Sequence, residues 1–257
     1  MKNYFDLNGR VALVTGCSGG LGVQMAKALA SQGCNIVAVA RRMDKLEEVT
    51  KEIASEFGVE ALPLQCDITD TDNVNETVAK AVEHFGRIDI LINNAGTGAV
   101  APAEDITDEQ FGNECDIDLF GSFRVARAVA KQAMIPAKYG RIINISSMYG
   151  LVGNKIAGSA PYHAAKGGVV NLTRALAAEW GKYDITVNSI CPGYFYTDLT
   201  RDTLNSDFFQ QNAKTMIPME RYGNEGELDS AALFFASPAS SYVTGVNLAV
   251  DGGYTCM

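Results

Sequence analysis

Tyr162 and Lys166 stand four residues apart in Pro161-Tyr162-His163-Ala164-Ala165-Lys166. On a helix that spacing puts both on one face. A phenol titrates near pH 10 and is a weak base at neutrality. A neighbouring ammonium favours its ionised form, and a cationic ring such as an oxidised nicotinamide would add to that. Lowering such a pKa by about three units takes roughly 4 kcal/mol, which a lysine and a cationic ring together can supply. The chemistry on offer is proton transfer to or from a substrate oxygen. Ser147, at the end of an apolar run, could hydrogen-bond that oxygen. A Tyr-x-x-x-Lys pair alone is common and usually structural, so the elements around it carry the decision.

Near the start, Thr15-Gly16-Cys17-Ser18-Gly19-Gly20-Leu21-Gly22 links an apolar run to a helical pattern. Glycines let the backbone approach a ligand closely, and a helix start offers N–H groups and a favourable dipole to a pyrophosphate. The next apolar run ends in Ala40-Arg41-Arg42, where NAD binders place an acid for the ribose hydroxyls. With no carboxylate there and two guanidiniums instead, a 2′-phosphate is the better match, which favours NADP(H) over NAD. The plain alternative makes Arg41 and Arg42 a solvated helix start and leaves NAD open. Ser18 could add a hydroxyl to the phosphate. Asp67, followed by Ile68, could accept from an adenine amino group or cap the helix that follows. Asn94, Ala95 and Gly96 are small enough to let an adenosine ribose lie against the backbone.

The elements that must position these residues alternate. Apolar runs at 10–15, 35–40, 61–66, 88–93, 141–146, 185–190 and 246–250 read as seven strands. Helical spacing fills 21–32, 44–57, 72–85, 107–134 and 161–183. Gly33, Gly58 and Gly86 are stop signals, and Thr107 with Gln110 has capping-box spacing. Asn224 and Glu227 resemble another cap, for a helix that stops near Pro238. Strands separated by helices imply crossovers and a parallel sheet. The fold class is α/β: a single doubly wound Rossmann domain over 1–257, a seven-stranded parallel sheet with helices on both faces. The least regular stretch, 194–223, reads as a substrate lid.

Composition narrows the partners. The 257 residues carry 21 Lys+Arg against 30 Asp+Glu, a formal charge of −9, which argues against a non-specific nucleic-acid binder. No apolar run approaches a membrane span, and the first eight residues lack a signal-peptide core. A cytoplasmic protein is expected. Six cysteines and two histidines fall in no metal-ligand spacing, so no metal is expected and the thiols read as reduced and mostly buried. His163 reads as packing or surface, and His84 as satisfying carbonyls at a helix end.

Together, Thr15-Gly16-x-x-x-Gly20-x-Gly22, Asn93-Asn94-Ala95-Gly96, Ser147, Tyr162-x-x-x-Lys166 and Pro192-Gly193 resemble the short-chain dehydrogenase/reductase family over nearly the whole chain. The resemblance implies that Tyr162 is the general acid in reduction and the base in oxidation. Lys166 would favour the Tyr162 phenolate and hold the nicotinamide ribose, and Ser147 would orient the substrate oxygen. Pro192, Gly193 and Thr197 would border the nicotinamide ring. Family members commonly form homotetramers through their long helices and C-terminal strand. One position departs: where many members have Asn in a Val-Asn-Leu context, this chain has Ile117-Asp118-Leu119. An ionised Asp118 would keep a proton relay but pull the Lys166 pKa upward and alter the pH dependence. Sugar-acid dehydrogenases of the gluconate 5-dehydrogenase kind look similar here, which tilts the substrate toward a sugar acid or polyol.

Tyr149, Tyr194 and Phe195 are expected to line the substrate side with Ser147 and Tyr162, beside Met148 and Tyr196. The substrate is a small carbonyl or secondary alcohol. A hydroxysteroid (bile-acid) dehydrogenase would need an apolar pocket. A 3-oxoacyl-(acyl carrier protein) reductase would want a basic docking face, which Arg124, Arg127 and Lys131 could form. A dinucleotide-sensing protein without catalysis would have no use for Ser147, Tyr162 and Lys166.

Overall fold

The computed structural model describes residues 3–98, 100–155, 158–197 and 200–257, without the side chains of 203, 208, 213 and 214. Seven parallel strands lie in the order β3-β2-β1-β4-β5-β6-β7. They are β1 (Val11–Thr15), β2 (Asn35–Ala40), β3 (Ala61–Gln65), β4 (Ile90–Asn93), β5 (Gly140–Ile145), β6 (Ile185–Pro192) and β7 (Asn247–Val250). The inner strands β1 and β4 are almost wholly apolar because both of their faces are covered, while β5 and β6 bury a few polar side chains such as Asn144 and Asn188. In β1, Ala12 and Val14 pack on one side with α1 (Gly20–Ala30), α2 (Met43–Phe57) and α10 (Asp229–Ala236), while Val11 and Leu13 pack on the other. That other side is built by α3 (Thr71–Phe85), α5 (Ser122–Val129) and α7 (Ala160–Trp180). Pro63, which cannot donate to a ladder, sits on the edge strand β3.

The chain order reverses between β1 and β4, so the carboxyl ends of these two strands open a crevice at the switch point. Both the glycine turn and Asn94 lie there.

The long helix begins after Thr107, where the capping box is complete: Gln110 N donates to Thr107 Oγ1 (3.2 Å) and Thr107 N to Gln110 Oε1 (2.9 Å). It runs past the expected end as α4 (Asp108–Cys115), α5 and α6 (Ile135–Ala137), joined by two wide turns at Asp116–Gly121 and Ala130–Met134. Pro136 accounts for the second, since it offers no N–H to the Gln132 carbonyl and its ring would clash there. The first carries Asp118, whose carbonyl accepts from Ser122 Oγ at 2.8 Å.

Three sequence expectations are corrected. The last helix opens at Asp229, not at Asn224. Glu227 instead accepts from Asn224 N (2.6 Å) and pairs with Arg221 (2.7 Å). His84 turns from its helix end to Glu60, at 2.6 Å. The cap of α3 is Asp70, which accepts from Asp72 N and Asn73 N, so Asp67 does not fill that role. The irregular stretch contains two short helices, α8 (Arg201–Asn205) and α9 (Asp207–Met216), held by a cluster of Leu204, Phe209, Tyr194, Met216 and Tyr222. Residues 198 and 199 of that stretch lie outside the described residues. Among the described residues no helix is long and apolar enough to cross a membrane.

Candidate active site

The glycine turn is glycine by necessity. Gly16 and Gly20 have φ of +67° and +57°, and a Cβ on Gly16 would lie 2.7 Å from Asn94 Nδ2. Asn94 locks the turn to β4: its amide donates to Thr15 O (3.1 Å), and Thr15 Oγ1 accepts from the N–H groups of Asn94 and Ala95 (3.0 Å each). The first helix starts at Gly20 with no side-chain cap and no acid in its first turn, which leaves its leading amides and positive dipole end to an anion. Gly22 does not line the cavity. A Cβ there would come within 2.5 Å of Gly16 O, so its role is the close packing of α1 on the turn.

A cavity of about 1050 Å³ runs from this turn to the end of β5. At one end it is lined by Ser18, Leu21, Arg41, Arg42, Asp67 and Ile68. Arg42 Nη2 donates to Ser18 Oγ at 3.1 Å, which brings the hydroxyl and a guanidinium to one point beside Arg41. Thr69 N and Oγ1 donate to Asp67 Oδ1 (3.0 and 2.7 Å), and these bonds, with Arg41 assisting, hold the carboxyl below its ordinary pKa. Asn94, Ala95 and Gly96 form the middle of the wall.

Ser147, Tyr162, Lys166, Pro192, Gly193, Phe195 and Thr197 close the other end. Ser147 follows β5 in extended conformation and its Oγ accepts from Tyr149 N at 3.1 Å. Lys166, 5% exposed, reaches back to donate to Ile145 O (3.2 Å) and pairs with Asp118 Oδ2 at 3.1 Å. Its Nζ lies 5.5 Å from the Tyr162 ring centre. Asp118 is wholly buried behind the cavity wall, and its Oδ1 accepts from Thr97 N at 2.8 Å. Burial opposes the charge on Lys166, but the attraction of Asp118, then of Tyr162, outweighs it and holds the ammonium above its ordinary pKa. A Cβ on Gly96 would lie 3.0 Å from Asp118 Oδ1 and 3.2 Å from Lys166 Nζ, so this glycine permits the pair to sit against the wall.

A family model described as enoyl-(acyl carrier protein) reductase matches residues 16–255. Gluconate 5-dehydrogenase of Gluconobacter oxydans (strain 621H) is 39% identical over 253 residues, 98% of this chain and 97% of the relative. The crystal structure of a short-chain type dehydrogenase/reductase from Mycobacterium marinum superposes with a TM-score of 0.94 at 38% identity, covering 99% of this chain and 98% of that one. The chain belongs to the short-chain dehydrogenase/reductase family. Also similar is a gluconate 5-dehydrogenase from Burkholderia cenocepacia J2315 solved with NADP and tartrate, with a TM-score of 0.94, 36% identity and coverage of 99% and 98%.

Within this short-chain dehydrogenase/reductase, the residues expected to meet substrate divide. Ser147, Tyr162 and Phe195 face the cavity; Tyr149 and Tyr194 do not line it. Their hydroxyls bond each other at 2.5 Å, and Tyr149 stacks on His163 with ring centres 4.6 Å apart and meets Tyr254 edge-on. Burial first, then this hydroxyl contact, hold the Tyr149 phenol above its ordinary pKa. The basic face of the long helix is interrupted, because Arg124 pairs with Asp116 (2.6 Å) and Arg127 lies over the Phe123 ring. Thr97, Ile145 and Ser146, whose Oγ donates to Lys166 O at 2.8 Å, hold the catalytic end but were missed in the sequence. Thr97 and Ile145 act through backbone groups, which leave no mark on residue type, and the Ser146 hydroxyl meets a helix carbonyl that only the tertiary fold brings to it.

Proposed function

We propose that this chain is an NADP(H)-dependent oxidoreductase that moves a hydride between nicotinamide and a ketone or secondary alcohol, with a sugar acid or polyol as substrate. The observation that carries the reading is one cavity shared by the glycine turn, the Ser18–Arg42 pair and the Ser147–Tyr162–Lys166 group. The residues fit a phosphorylated dinucleotide: a turn with no room for a Cβ at Gly16, an uncapped helix start, and two guanidiniums directly after β2 where an acid would take a free ribose. Gly16, Gly20 and Leu21 would hold the pyrophosphate, and Ser18, Arg41 and Arg42 the 2′-phosphate. Asp67 and Ile68 would border the adenine, Asn94 to Gly96 its ribose. Lys166 would hold the nicotinamide ribose, with Pro192, Gly193 and Thr197 beside the ring. The bound nicotinamide supplies hydride chemistry.

The chain does the rest. Ser147 Oγ orients the substrate oxygen. Tyr162 gives it a proton in reduction and takes one in oxidation. Lys166, kept charged by Asp118, sets the field in which Tyr162 does so and links it to the relay behind the wall. Tyr149, Tyr194 and Phe195 shape the substrate end, and 194–223 serves as the lid. The whole of 1–257 acts as one domain in the cytoplasm, as a homotetramer joined through the long helices, whose outer face shows Phe111 and Phe120. Sedimentation as a monomer would remove that assembly.

The test is a panel of keto-acids, sugar acids, polyols and steroids offered with each nucleotide, followed by nicotinamide absorbance. Turnover of a sugar acid or polyol with NADP(H) is expected. Turnover confined to steroids, or to acyl carrier protein thioesters, would overturn the substrate class.

A further inference from the structure

The last turn of the chain reaches the substrate end. After β7, Gly252 and Gly253 stand at φ +65° and +90°, which reverses the backbone at once. Asp251 fastens the reversal: its Oδ1 accepts from Gly253 N (2.9 Å), and its Oδ2 from Thr255 N (2.9 Å) and Thr255 Oγ1 (2.7 Å). The turn is set against two parts of the site. A Cβ on Gly193 would lie 2.6 Å from Asp251 Cα, so the turn backs directly on the Pro192–Gly193 wall. Met219 N donates to Gly252 O at 3.1 Å, and a Cβ on Gly252 would lie 2.8 Å from Ile217 Cγ2, so the end of the 194–223 stretch rests on it too.

This turn carries Tyr254 into a cluster of rings from other segments. Tyr254 meets Tyr149 and Tyr194 edge-on, with ring centres 6.2 and 5.9 Å away. Tyr149 is the hub: besides stacking on His163 it stands edge-on to Tyr162, at 6.5 Å. Its backbone N–H donates to Ser147 Oγ. Tyr194 continues the cluster to Phe209 on α9, at 4.5 Å. One ring from the C-terminal turn therefore leans on both members of the Tyr149–Tyr194 hydroxyl pair, and one of those members touches Tyr162 and Ser147. Tyr254 itself does not line the cavity. Any apolar side chain would fill the space, but a ring edge-on to two others also fixes their orientation.

We propose that Tyr254 is a positioning residue for the reaction: its ring holds the Tyr149–Tyr194 pair in place and, through Tyr149, sets Tyr162 and Ser147 where the substrate oxygen needs them. Tyr254 touches neither substrate nor cofactor. The inference rests on Tyr162 and Ser147 being the groups that meet the substrate oxygen.

The test is NADPH-dependent reduction of the carbonyl compound that the parent turns over fastest, in Tyr254→Ala, Tyr254→Leu and Tyr254→Phe. In the alanine variant kcat should fall about tenfold, as for two lost ring contacts, with the Kd for NADPH unchanged. Leucine fills the space without a ring and should be as slow; phenylalanine keeps the ring and should restore most of the rate. Should the alanine variant fail to fold, the leucine and phenylalanine variants carry the comparison. A second readout needs no substrate: with ring-¹³C-labelled tyrosine in the nucleotide-free full chain, the Tyr162 signal, assigned by its loss in Tyr162→Phe, should shift in Tyr254→Leu and return in Tyr254→Phe. A folded leucine variant with the parent's kcat and an unmoved Tyr162 signal would overturn the proposal and leave Tyr254 a packing residue. A Tyr162→Phe variant that keeps turnover would instead remove the catalytic reading beneath it. An inactive Tyr162→Phe beside a leucine variant at the parent's rate sinks this inference alone.

Discussion

Asp118→Asn removes one charge from the Lys166 pair and little else, since the amide oxygen can still accept from Thr97 N. Two unit charges 3.1 Å apart attract by about 5 kcal/mol at an effective dielectric of ~20. Relief of the buried carboxylate's desolvation returns more than half of that, leaving a net loss of about 2 kcal/mol. For a chain of this size that is about 4–8 °C in Tm, and the Lys166 midpoint should fall, because the largest attraction holding it up is gone. The sign follows from the direction of the shift. Lys166 is held above its ordinary value, so the pair's stabilisation is complete below the unfolded lysine value near 10.4. It is lost as pH climbs through the higher folded value. The variant should therefore be less stable than the parent from neutrality to about pH 10, and the gap should close above that. Thermal unfolding across that range reads this directly, and the pH profile of alcohol oxidation should shift to lower pH. A variant with the parent's Tm at neutral pH and an unchanged profile would refute the reasoning.

Arg42→Ala removes the guanidinium bonded to Ser18 and should weaken NADPH about 10- to 100-fold, as for a lost charged hydrogen bond, while sparing NADH; parallel fluorescence titrations check it, and an equal loss for both nucleotides would contradict it. Gly16→Ala puts a Cβ 2.7 Å from Asn94 Nδ2 at φ +67°, and should cost about 1–3 kcal/mol in a urea melt and weaken both nucleotides. Tyr149→Phe breaks the hydroxyl contact with Tyr194. It should raise KM for the substrate and lower stability by about 1 kcal/mol, without moving nucleotide affinity; a rise in the nucleotide Kd alone would place the tyrosine pair in the wrong role.

The sheet is legible because its inner strands bury both faces: β1 and β2 appear as near-unbroken apolar runs. Gly58 and Gly86 stop their helices where expected, while the first helix ends at Ala30, short of Gly33. The glycine turn is legible because its constraint is steric and falls on residue type, as does the Tyr162–Lys166 spacing. What was hidden is decided by tertiary contact. The wide turn at Asp118 leaves no periodic signal in eight residues of amphipathic helix. The two short helices of the 194–223 stretch are held by Phe209, Tyr194 and Tyr222 packing together, not by helix propensity. Position puts Tyr149 and Tyr194 at the substrate side, but nothing local shows that these residues, 45 apart, meet and bond through their hydroxyls. His84 had an acceptor across the sheet edge at Glu60 that no local pattern announces.

The central claim is that Tyr162 moves the proton in a cavity that holds the nucleotide independently of it. The direct measurement is Tyr162→Phe, with NADPH binding and NADPH-dependent carbonyl reduction followed on the same preparation. Binding within a few-fold of the parent with turnover down by about 10²–10⁴ is the predicted result. A phenylalanine variant that reduces the carbonyl at the parent's rate would contradict the account.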